Sequence, residues 1–574
     1  MHQFLTDRRV LAGVLLTTFL AISPLVLNQP TAMSLNDDWT QIFAFQAYLH
    51  DALLHHGELP QRSHMLGGGF PIIAHPEYPI FSPLTPTVLV FGPVLGTKVN
   101  VILLYLMGVL GMWLLCRRTL ELDIGAAAWA TLTLALTGWI PAILQSGNYP
   151  EIYFVVFPLL AHLVFEKKIV WGALIALTMI LDGHLNSVAC FLILGLWCVL
   201  QIAGDPTKRF EPIRSYAKTM LLTTGLAAYK LVPTIALLRI EDRSIDTYSS
   251  DAIEVGQAQW GEFLGTACRA DGFALGPIPW ILAIGGMCFF WRQTWRLAVA
   301  FWIAVLLWMG PNAPMDLFQW LHKIPVLSSI DSPAKYFVYF IGFFGVLLGA
   351  RALTSIPTRW RTLSAVIATV GTALPLLIAN TPVLSNVFTV PDEPAIQRPH
   401  VTVDTPFFRT GRWEGAAENR PDLYVYYRRG VSLVAWEDNF QLPTGVLADY
   451  FVTEDGILVS NDDFPGNAWV TDADGTVDLT TIRANHFTID TEFSEKAAVQ
   501  INQTYAKGWT CDNAIVGERD RRIELTVPAG NHTIRCAYSS QPFRLGLWIT
   551  GLCLLSLVSW RWYRSRAVRE QPAA

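Results

Sequence analysis

Residues 10–28 read VLAGVLLTTFLAISPLVLN, a run without one charged side chain that directly follows Arg8 and Arg9. A run of about 20 apolar residues is long enough to cross a bilayer as an α-helix. Similar runs predict twelve spans, at residues 10–28, 97–115, 125–143, 151–166, 169–182, 187–203, 219–238, 273–291, 297–311, 334–350, 362–380 and 543–561. The sequence therefore predicts a polytopic α-helical membrane protein with about 12 transmembrane helices, some of them short.

The composition of the whole chain agrees with a membrane protein. Of its 574 residues, 52% are hydrophobic and only 15% are charged, and the mean hydropathy is +0.36. Since soluble domains carry about 25% charged residues, these values exclude a water-soluble multidomain enzyme, a disordered protein and a nucleic-acid-binding protein. Residues 381–541 differ, because they hold 23 of the 46 acidic residues but only 13 of the 41 Lys and Arg residues. The chain therefore contains two regions that differ in their balance of acidic and basic residues.

The positions of Lys and Arg predict the orientation in the membrane. The segments predicted to be cytoplasmic hold 19 Lys and Arg residues, whereas the short segments on the other side hold seven. Because cytoplasmic loops are enriched in basic residues, both termini are expected in the cytoplasm. We see no convincing small-residue cleavage site after the first span, so we expect it to be an anchor rather than a signal peptide.

The first outward loop, residues 29–96, is long. It contains the stretch NDDWTQIFAFQAYLHDALLHHGELP, in which apolar residues recur at near-helical spacing with polar residues between them. This pattern predicts an amphipathic helix that lies on the membrane surface. A Gly- and Pro-rich stretch follows, which must fold against protein or in the headgroup layer.

Residues 381–541 have a different pattern. Short alternating runs such as HFTIDTEFS and RRIELTVPAGNHTIRCAYSS are separated by turn signals, which predicts an extracytoplasmic β-rich, sandwich-like domain before the last helix. Residues 542–574 form the final span and a basic cytoplasmic tail. Cys511 and Cys536 both lie in the β-rich domain, where a disulfide and two free thiols are equal alternatives.

The polar side chains, which are costly to bury in a bilayer, lie mostly at the outer ends of the predicted spans. The main exception is Lys230, within the span at 219–238. An ion-coupled transporter is expected to carry its polar groups in the middle of the membrane. The distribution therefore favours a reaction at the outer membrane surface.

Several motifs follow one another in an order that carries more weight than each motif alone. They are DxxQ from Asp38 to Gln41, GGGFP at 67–71, YPIFSPLTP at 78–86, SGNYPEIYFVVFPLLAHLVF at 146–165, LDGHLNS at 181–187, LVPTIALLRIEDRS at 231–244, DSPAKYF at 331–337, TYAKGWTCD at 504–512 and VPAGNHTIRCAY at 527–538. In this order they resemble the YfhO-like membrane proteins of the GT-C glycosyltransferase superfamily. The chain departs from that pattern at Asp37, where the family usually has Gly, and at Lys230, where Gln or a similar residue is expected.

The resemblance implies a GT-C-like transmembrane domain over residues 1–380 and an integral protein of the bacterial cytoplasmic (inner) membrane. It implies a transferase that takes a sugar from a polyprenyl-phosphate-linked donor at the extracytoplasmic face. The acceptor would be an envelope lipid, glycan or polymer. An acid in the first outward loop acts as the base in such enzymes, which points to Asp38 first and Asp37 second.

The departing lipid phosphate needs positive charge, and four basic residues are candidates to supply it. They are Arg239, Arg243, Lys335 and Lys230. Alternative roles stay open for each. The two arginines snorkel at the interface or pair with Glu241 and Asp242, Lys335 is an ordinary interface residue, or Lys230 belongs to a structural ion pair.

A further set of outward residues is a candidate for the sugar pocket: Gln41, Glu77, His75, Asp182, His184 and Trp39. His184 with Asp182, and Glu77 with His75, are also candidate ligands for a divalent cation such as Mg²⁺ or Mn²⁺, although the carboxylates are too scattered to predict coordination. Local hydrogen bonding in outward turns is the simpler alternative for these residues.

Two other functions fit the same sequence. One is a non-enzymatic transporter or flippase component for lipid or polysaccharide on the same scaffold. The other is an envelope-assembly or sensor protein whose β-rich domain binds a partner.

Overall fold

The computed structural model describes residues 2–28, 30, 37–64, 69, 71–76, 78–79, 81–203, 210–239, 263–266, 273–324, 327–330, 332–388, 409–410, 425–426, 434–436, 446–447, 450–452 and 458–569. Only the backbone is described for some of these residues. They are the described residues within 2–6, 37, 38, 40, 41, 44, 184, 185, 329, 409–436, 450–460 and 564–569.

Within these ranges the chain forms seventeen α-helices. They are α1 (His2–Ile22), α2 (Pro24–Leu27), α3 (Asp37–Leu54), α4 (Thr85–Phe91), α5 (Pro93–Leu114), α6 (Ile124–Ala135), α7 (Trp139–Ser146), α8 (Phe157–Phe165), α9 (Ile169–Ile202), α10 (Glu211–Leu226), α11 (Ala228–Leu238), α12 (Pro277–Phe289), α13 (Trp291–Met309), α14 (Phe318–His322), α15 (Pro333–Ser355), α16 (Thr358–Asn386) and α17 (Gln541–Arg569). The 3₁₀ and π segments of the described residues are Ile72–Ala74, Leu115–Thr119, Tyr149–Val156, Gly310–Asn312 and Leu327–Ser329.

In the described part of the chain, seven helical segments are long and apolar enough to cross a membrane. They are Asp7–Leu27, Pro93–Thr119, Ile124–Ser146, Trp291–Asn312, Pro333–Ser355, Thr358–Asn386 and Gln541–Tyr563, and the bent pair α10–α11 makes an eighth if it counts as one span. Four shorter apolar helices, at Tyr149–Phe165, Ile169–Gly183, Asn186–Ile202 and Pro277–Phe289, fall where four further spans are predicted. The chain is an integral membrane protein as predicted, while the number twelve stays a prediction.

The polar contacts sort into two ends of the helix bundle. At one end, residues predicted to be cytoplasmic pair with each other, as Arg117 does with Asp7 at 2.8 Å. At the other end, which we call the outer end, the first loop meets the β-rich domain, and Gln61 N–H donates to Asn485 Oδ1 over 2.9 Å. These two contacts are examples from each end, and the orientation of the bundle in the membrane stays a prediction.

Helix α9 folds back on itself. A straight helix from residue 169 to residue 197 would be about 42 Å long at about 1.5 Å per residue. The rings of Phe165 and Trp197 are nevertheless only 4.9 Å apart. The segments 169–183 and 186–202 therefore run as two antiparallel halves, with the reversal between Gly183 and Asn186 at the outer end.

The span predicted at 219–238 is broken. Helices α10 and α11 meet at an angle of 78°. Thr550 of α17 lies at the break, where its hydroxyl lies 3.2 Å from the carbonyl oxygens of Gly225 and Leu226 and 3.2 Å from the N–H of Tyr229. The last helix thus satisfies backbone groups that the break leaves without an intrahelical partner.

The β-rich region contains thirteen described strands. They are β1 (Arg409–Thr410), β2 (Val425–Tyr426), β3 (Val434–Trp436), β4 (Tyr450–Val452), β5 (Leu458–Ser460), β6 (Ala468–Val470), β7 (Gly475–Ile482), β8 (His486–Phe493), β9 (Ala497–Thr504), β10 (Trp509–Cys511), β11 (Ile515–Arg519), β12 (Arg522–Val527) and β13 (Gly530–Tyr538). The last eight form two four-stranded sheets, ordered β10-β13-β8-β7 and β11-β12-β9-β6, and β1 to β5 form a third sheet. Ile489 and Ile534 of one sheet share a buried core with Val499 and Leu525 of the other, as in a sandwich.

The β-rich region before the last helix is confirmed. Its predicted start at residue 381 lies inside α16, which continues to Asn386. Cys511 and Cys536 lie opposite each other on β10 and β13 and form a disulfide.

Candidate functional site

The first turn of α3 carries Asp37 and Asp38 and is fixed by the next residue, Trp39. The Trp39 side chain is fully buried, and its Nε1 donates to the carbonyl oxygen of Leu144 on α7 over 2.6 Å. Its ring lies 5.0 Å from that of Phe388 and 5.7 Å from that of Tyr149. Trp39 was predicted to line the sugar pocket, and in the structure its ring packs against protein on these sides.

Helix α3 differs from its prediction in its surroundings. The pattern predicts a helix on the membrane surface, but Trp39, Ile42 and Phe43 belong to the main buried core of the bundle. Phe45 and Leu49 belong to a second buried cluster, which includes Ala484 of the β-rich domain and Phe543 of the last helix. The apolar positions that the sequence assigns to lipid are therefore covered by protein.

Lys98 of α5 is a basic residue that the sequence reasoning missed as a site candidate. Its side chain is fully buried, and its Nζ lies 4.2 Å from the centre of the Phe388 ring, which itself packs on Trp39. A cation near an aromatic face is stabilised electrostatically. The available signal was a single Lys inside an almost uncharged span, which usually marks a functional or paired group.

A polar network lies at the outer end around Asp182 of α9. Ser82 Oγ donates to Asp182 Oδ2, and the hydroxyl of Tyr153 also bonds to this carboxylate. The hydroxyl oxygens of Tyr153 and Tyr149 are 3.2 Å apart. The network therefore joins the end of the first loop to the 3₁₀ segment at 149–156, and Tyr149 continues it to Trp39.

Lys230 of α11 contacts the first loop from the membrane side. Its side chain is only 2% exposed, and its Nζ donates to the carbonyl oxygens of His75 at 2.6 Å and Tyr78 at 2.8 Å. It also interacts electrostatically with Asp182. Lys230 thus fixes the turn that follows Ile72–Ala74.

A charged pair lies between the 3₁₀ segment at 149–156 and α15. Glu151 is 1% exposed, and its Oε1 lies 3.2 Å from Nζ of the partly exposed Lys335. The same Nζ donates to Asn148 Oδ1 over 3.0 Å. Glu151 is an acid in the apolar run NYPEIYFVVF, and this contrast was the signal for it in the sequence.

The remaining predicted site residues are only partly placed. Arg239 ends α11 with an exposed side chain, and the ring of His75 lies 5.2 Å from that of Phe45. Glu77 and Arg243 lie outside the described residues, as do the side chains of Asp37, Asp38, Gln41 and His184. Among the side chains that the structure describes, no three His, Cys, Asp or Glu groups come together as a metal site.

No protein-family model matches the chain, and no curated protein sequence matches it. Among solved structures, the chain is similar to the arabinofuranosyltransferase AftD from Mycobacteria, with 15% sequence identity and a TM-score of 0.40. The match covers 67% of this chain but only 27% of AftD. At this identity and TM-score the likeness assigns no activity to the chain.

Proposed function

We propose that the chain is a membrane glycosyltransferase of the GT-C type. It moves a sugar from a polyprenyl-phosphate-linked donor to an envelope lipid, glycan or polymer at the extracytoplasmic face of the bacterial inner membrane. The proposal rests on the ordered YfhO-like motifs and on one structural observation. Trp39 anchors the first turn of α3, and with it Asp37 and Asp38, at the outer end of the bundle.

The position of the two acids suits a base. The N-terminal turn of a helix stabilises negative charge, which favours the carboxylate form that accepts a proton. In the proposed step, the hydroxyl proton of the acceptor passes to the carboxylate of Asp38 while the acceptor oxygen bonds to the anomeric carbon. The bond from that carbon to the phosphate oxygen breaks, and its electron pair leaves with the lipid phosphate. The attack inverts the anomeric centre.

The leaving phosphate requires positive charge near the membrane surface. Arg239 is exposed at the end of α11, and Lys335 is partly exposed on α15. We propose these two, with Arg243, as the phosphate-binding residues. Lys230 is only 2% exposed and binds two backbone carbonyl oxygens, whereas Lys335 stays partly exposed beside its partners Glu151 and Asn148. The pocket residues Gln41, Glu77, His75, Asp182 and His184 stay predictions. Activity before and after chelation measures whether Mg²⁺ or Mn²⁺ takes part.

Substitution of Asp38 tests the proposal. Asp38→Asn keeps the size of the side chain but removes the base, so sugar transfer should fall about 10²-fold or more. Asp51→Asn is the matched control, because Asp51 lies near the other end of α3 and pairs only with His55 and His56 among the contacts described. The measurement is mass spectrometry of lipids and glycans from a host that lacks the protein and carries each variant.

The outcomes separate the proposed enzyme from the two other functions. If the Asp38→Asn protein is present at a normal level and the products are unchanged, Asp38 is not the base. A lipid or polymer that accumulates on one side of the membrane without a change in any sugar mass would indicate a transporter. Stoichiometric, sugar-independent capture of a protein by the full chain would indicate an assembly factor.

A further inference from the structure

The β-rich domain is bound directly to the first outward loop. Asn485 lies between β7 and β8, and its side chain brackets the loop: Oδ1 accepts the N–H of Gln61 at 2.9 Å, and Nδ2 donates to the carbonyl oxygen of Leu59 at 2.7 Å. The N–H of Ser540 donates to Oε1 of Gln61 at 2.9 Å. Asn485 is 6% exposed, so these bonds are shielded from water.

Arg62 makes the central contact of this interface. Its side chain is 1% exposed, its Nη2 donates to the carbonyl oxygen of Thr504, and its guanidinium carbon lies 5.7 Å from the ring centre of Trp509 and 6.0 Å from that of Tyr538. Burial lowers the pKa of Arg62 to about 10. A buried guanidinium is costly to desolvate, so its aromatic and carbonyl partners on the β-rich domain decide whether the loop stays in place.

The same loop is held from the membrane side. The N–H of Ile73 donates to the carbonyl oxygen of Gln61 over 3.2 Å, which joins the docked segment to the turn that Lys230 binds. Lys230 lies on α11, and α17 packs on α11 immediately after β13. The first outward loop is therefore held between the sandwich, α17 and α11.

Helix α3 connects the docked loop to the candidate site. The docked segment begins at Glu58, four residues after α3 ends at Leu54, and the N–H of Glu58 donates to the carbonyl oxygen of Ala52 at 2.8 Å. A hydrogen-bonded helix is stiff, so fixing its last turn also restricts its first turn, where Asp37 and Asp38 lie.

We propose that the β-rich domain positions the transferase site: it uses Asn485 and Arg62 to hold the first outward loop, and thereby the base on α3. This inference rests on the proposed function. The face of the domain at Asn485 and Trp509 is then occupied by the chain's own loop, and the residues are positioning residues rather than catalytic ones.

The test separates docking from activity. A double variant with Glu58→Cys and His486→Cys, in a Cys288→Ser background, provides two thiols where Nδ1 of His486 lies 3.3 Å from Oε1 of Glu58. A short bis-maleimide added to isolated membranes, which retain their own lipids, should link them, and mass spectrometry of the linked peptide measures docking without reference to activity. The linked protein should keep its sugar-transfer activity.

Asn485→Ala and Arg62→Gln should each lower the cross-linking yield and sugar transfer together, by about 5-fold or more. Cross-linking the Asn485→Ala protein should restore transfer, which a general folding defect would not allow. Asn531→Ala, on the exposed side of β13, and Arg522→Gln are the controls. Arg522 is a buried arginine 5.0 Å from the Trp469 ring inside the domain, and neither control should change docking.

Three results would overturn the inference. They are an inactive cross-linked protein, normal transfer by an undocked variant, and normal docking in both Asn485→Ala and Arg62→Gln. If Asp38→Asn also transfers sugar normally, the proposed function itself fails. If Asp38→Asn is inactive while undocked variants remain active, only the positioning role fails.

Discussion

At the scale of single residues, Lys230 and Trp39 are held by contacts that only the tertiary structure brings together. Lys230 was recognisable as costly in an apolar span, but its partners, the carbonyl oxygens of His75 and Tyr78, lie about 150 residues away. Trp39 was recognisable as unusual, yet only the fold places Leu144 and Phe388 around it. Such contacts depend on tertiary structure, which periodicity and charge counts do not contain.

Removal of the Lys230 ammonium should destabilise the protein strongly. Lys230→Met leaves the carbonyl oxygens of His75 and Tyr78 without their ammonium donor, and the loss of a hydrogen bond to a charged group costs about 1.5–3 kcal/mol. Thermal unfolding in detergent measures the loss. Addition of Asp182→Asn should recover part of it, because the buried negative charge is removed as well.

Lys323→Met is the control for this substitution. Lys323 is an exposed residue 4.7 Å from the Trp320 ring, and its loss should change stability by less than about 1 kcal/mol. Equal effects of the two lysine substitutions, or a further loss in the Lys230→Met/Asp182→Asn double variant, would contradict the assigned role of Lys230.

At the scale of elements, apolar runs were sufficient to find the helices but not their surroundings. The pattern of α3 predicts a helix, and the helix is present, but protein rather than lipid covers Trp39 and Phe43. Hydropathy measures how apolar a segment is, and lipid and protein interior are equally apolar. For the same reason the break between α10 and α11 is invisible in the run 219–238, since Thr550 that stabilises it lies on the last helix.

Close packing of α17 on α11 predicts different effects for two glycines of one helix. A Cβ on Gly546 would lie 2.7 Å from the Cα of Tyr229, whereas a Cβ on Gly551 would have no atom within 4 Å. Gly546→Val should therefore force the helices apart and lower the melting temperature by several degrees, since overpacking costs about 1–3 kcal/mol. Gly551→Val places the same residue in the same helix and should have little effect. Equal melting temperatures of the two variants would show that α17 does not pack closely at residue 546.

At the scale of the whole molecule, the sequence predicted two regions and their order but not their connection. Alternating runs predicted strands in residues 381–541, and charge placement predicted an orientation of the bundle that stays a prediction. The docking of the sandwich on the first loop depends on Asn485 and Arg62, which are ordinary polar residues in their local sequence. Their contacts join residues some 420 to 440 positions apart, so neither role is visible in the local sequence.

This interface predicts a loss of stability in acid through His64. Burial, followed by the charge of Arg62, lowers the pKa of His64 to about 3, with His56 acting in the same direction and Asp51 against it. The ring lies 3.4 Å from the hydroxyl of Tyr48 and bonds to the backbone of Arg483 on the β-rich domain. In the unfolded chain a histidine binds its proton near pH 6.5. Below that pH the unfolded state therefore binds more protons than the folded state, and stability falls as the pH decreases towards 3.

Thermal unfolding of the purified protein from pH 7.5 to pH 4.5 measures this loss. His64→Gln removes the titrating ring, so its melting temperature should depend less steeply on pH than that of the natural chain. His532→Gln is the control, because His532 lies on β13 and bonds to Ala529 within its own domain. Since protonation of His64 opposes docking, the Glu58–His486 cross-linking measured with a pH-tolerant thiol reagent should also weaken in acid for the natural His64 and persist for His64→Gln. Identical pH profiles for both proteins would place the acid sensitivity elsewhere in the molecule.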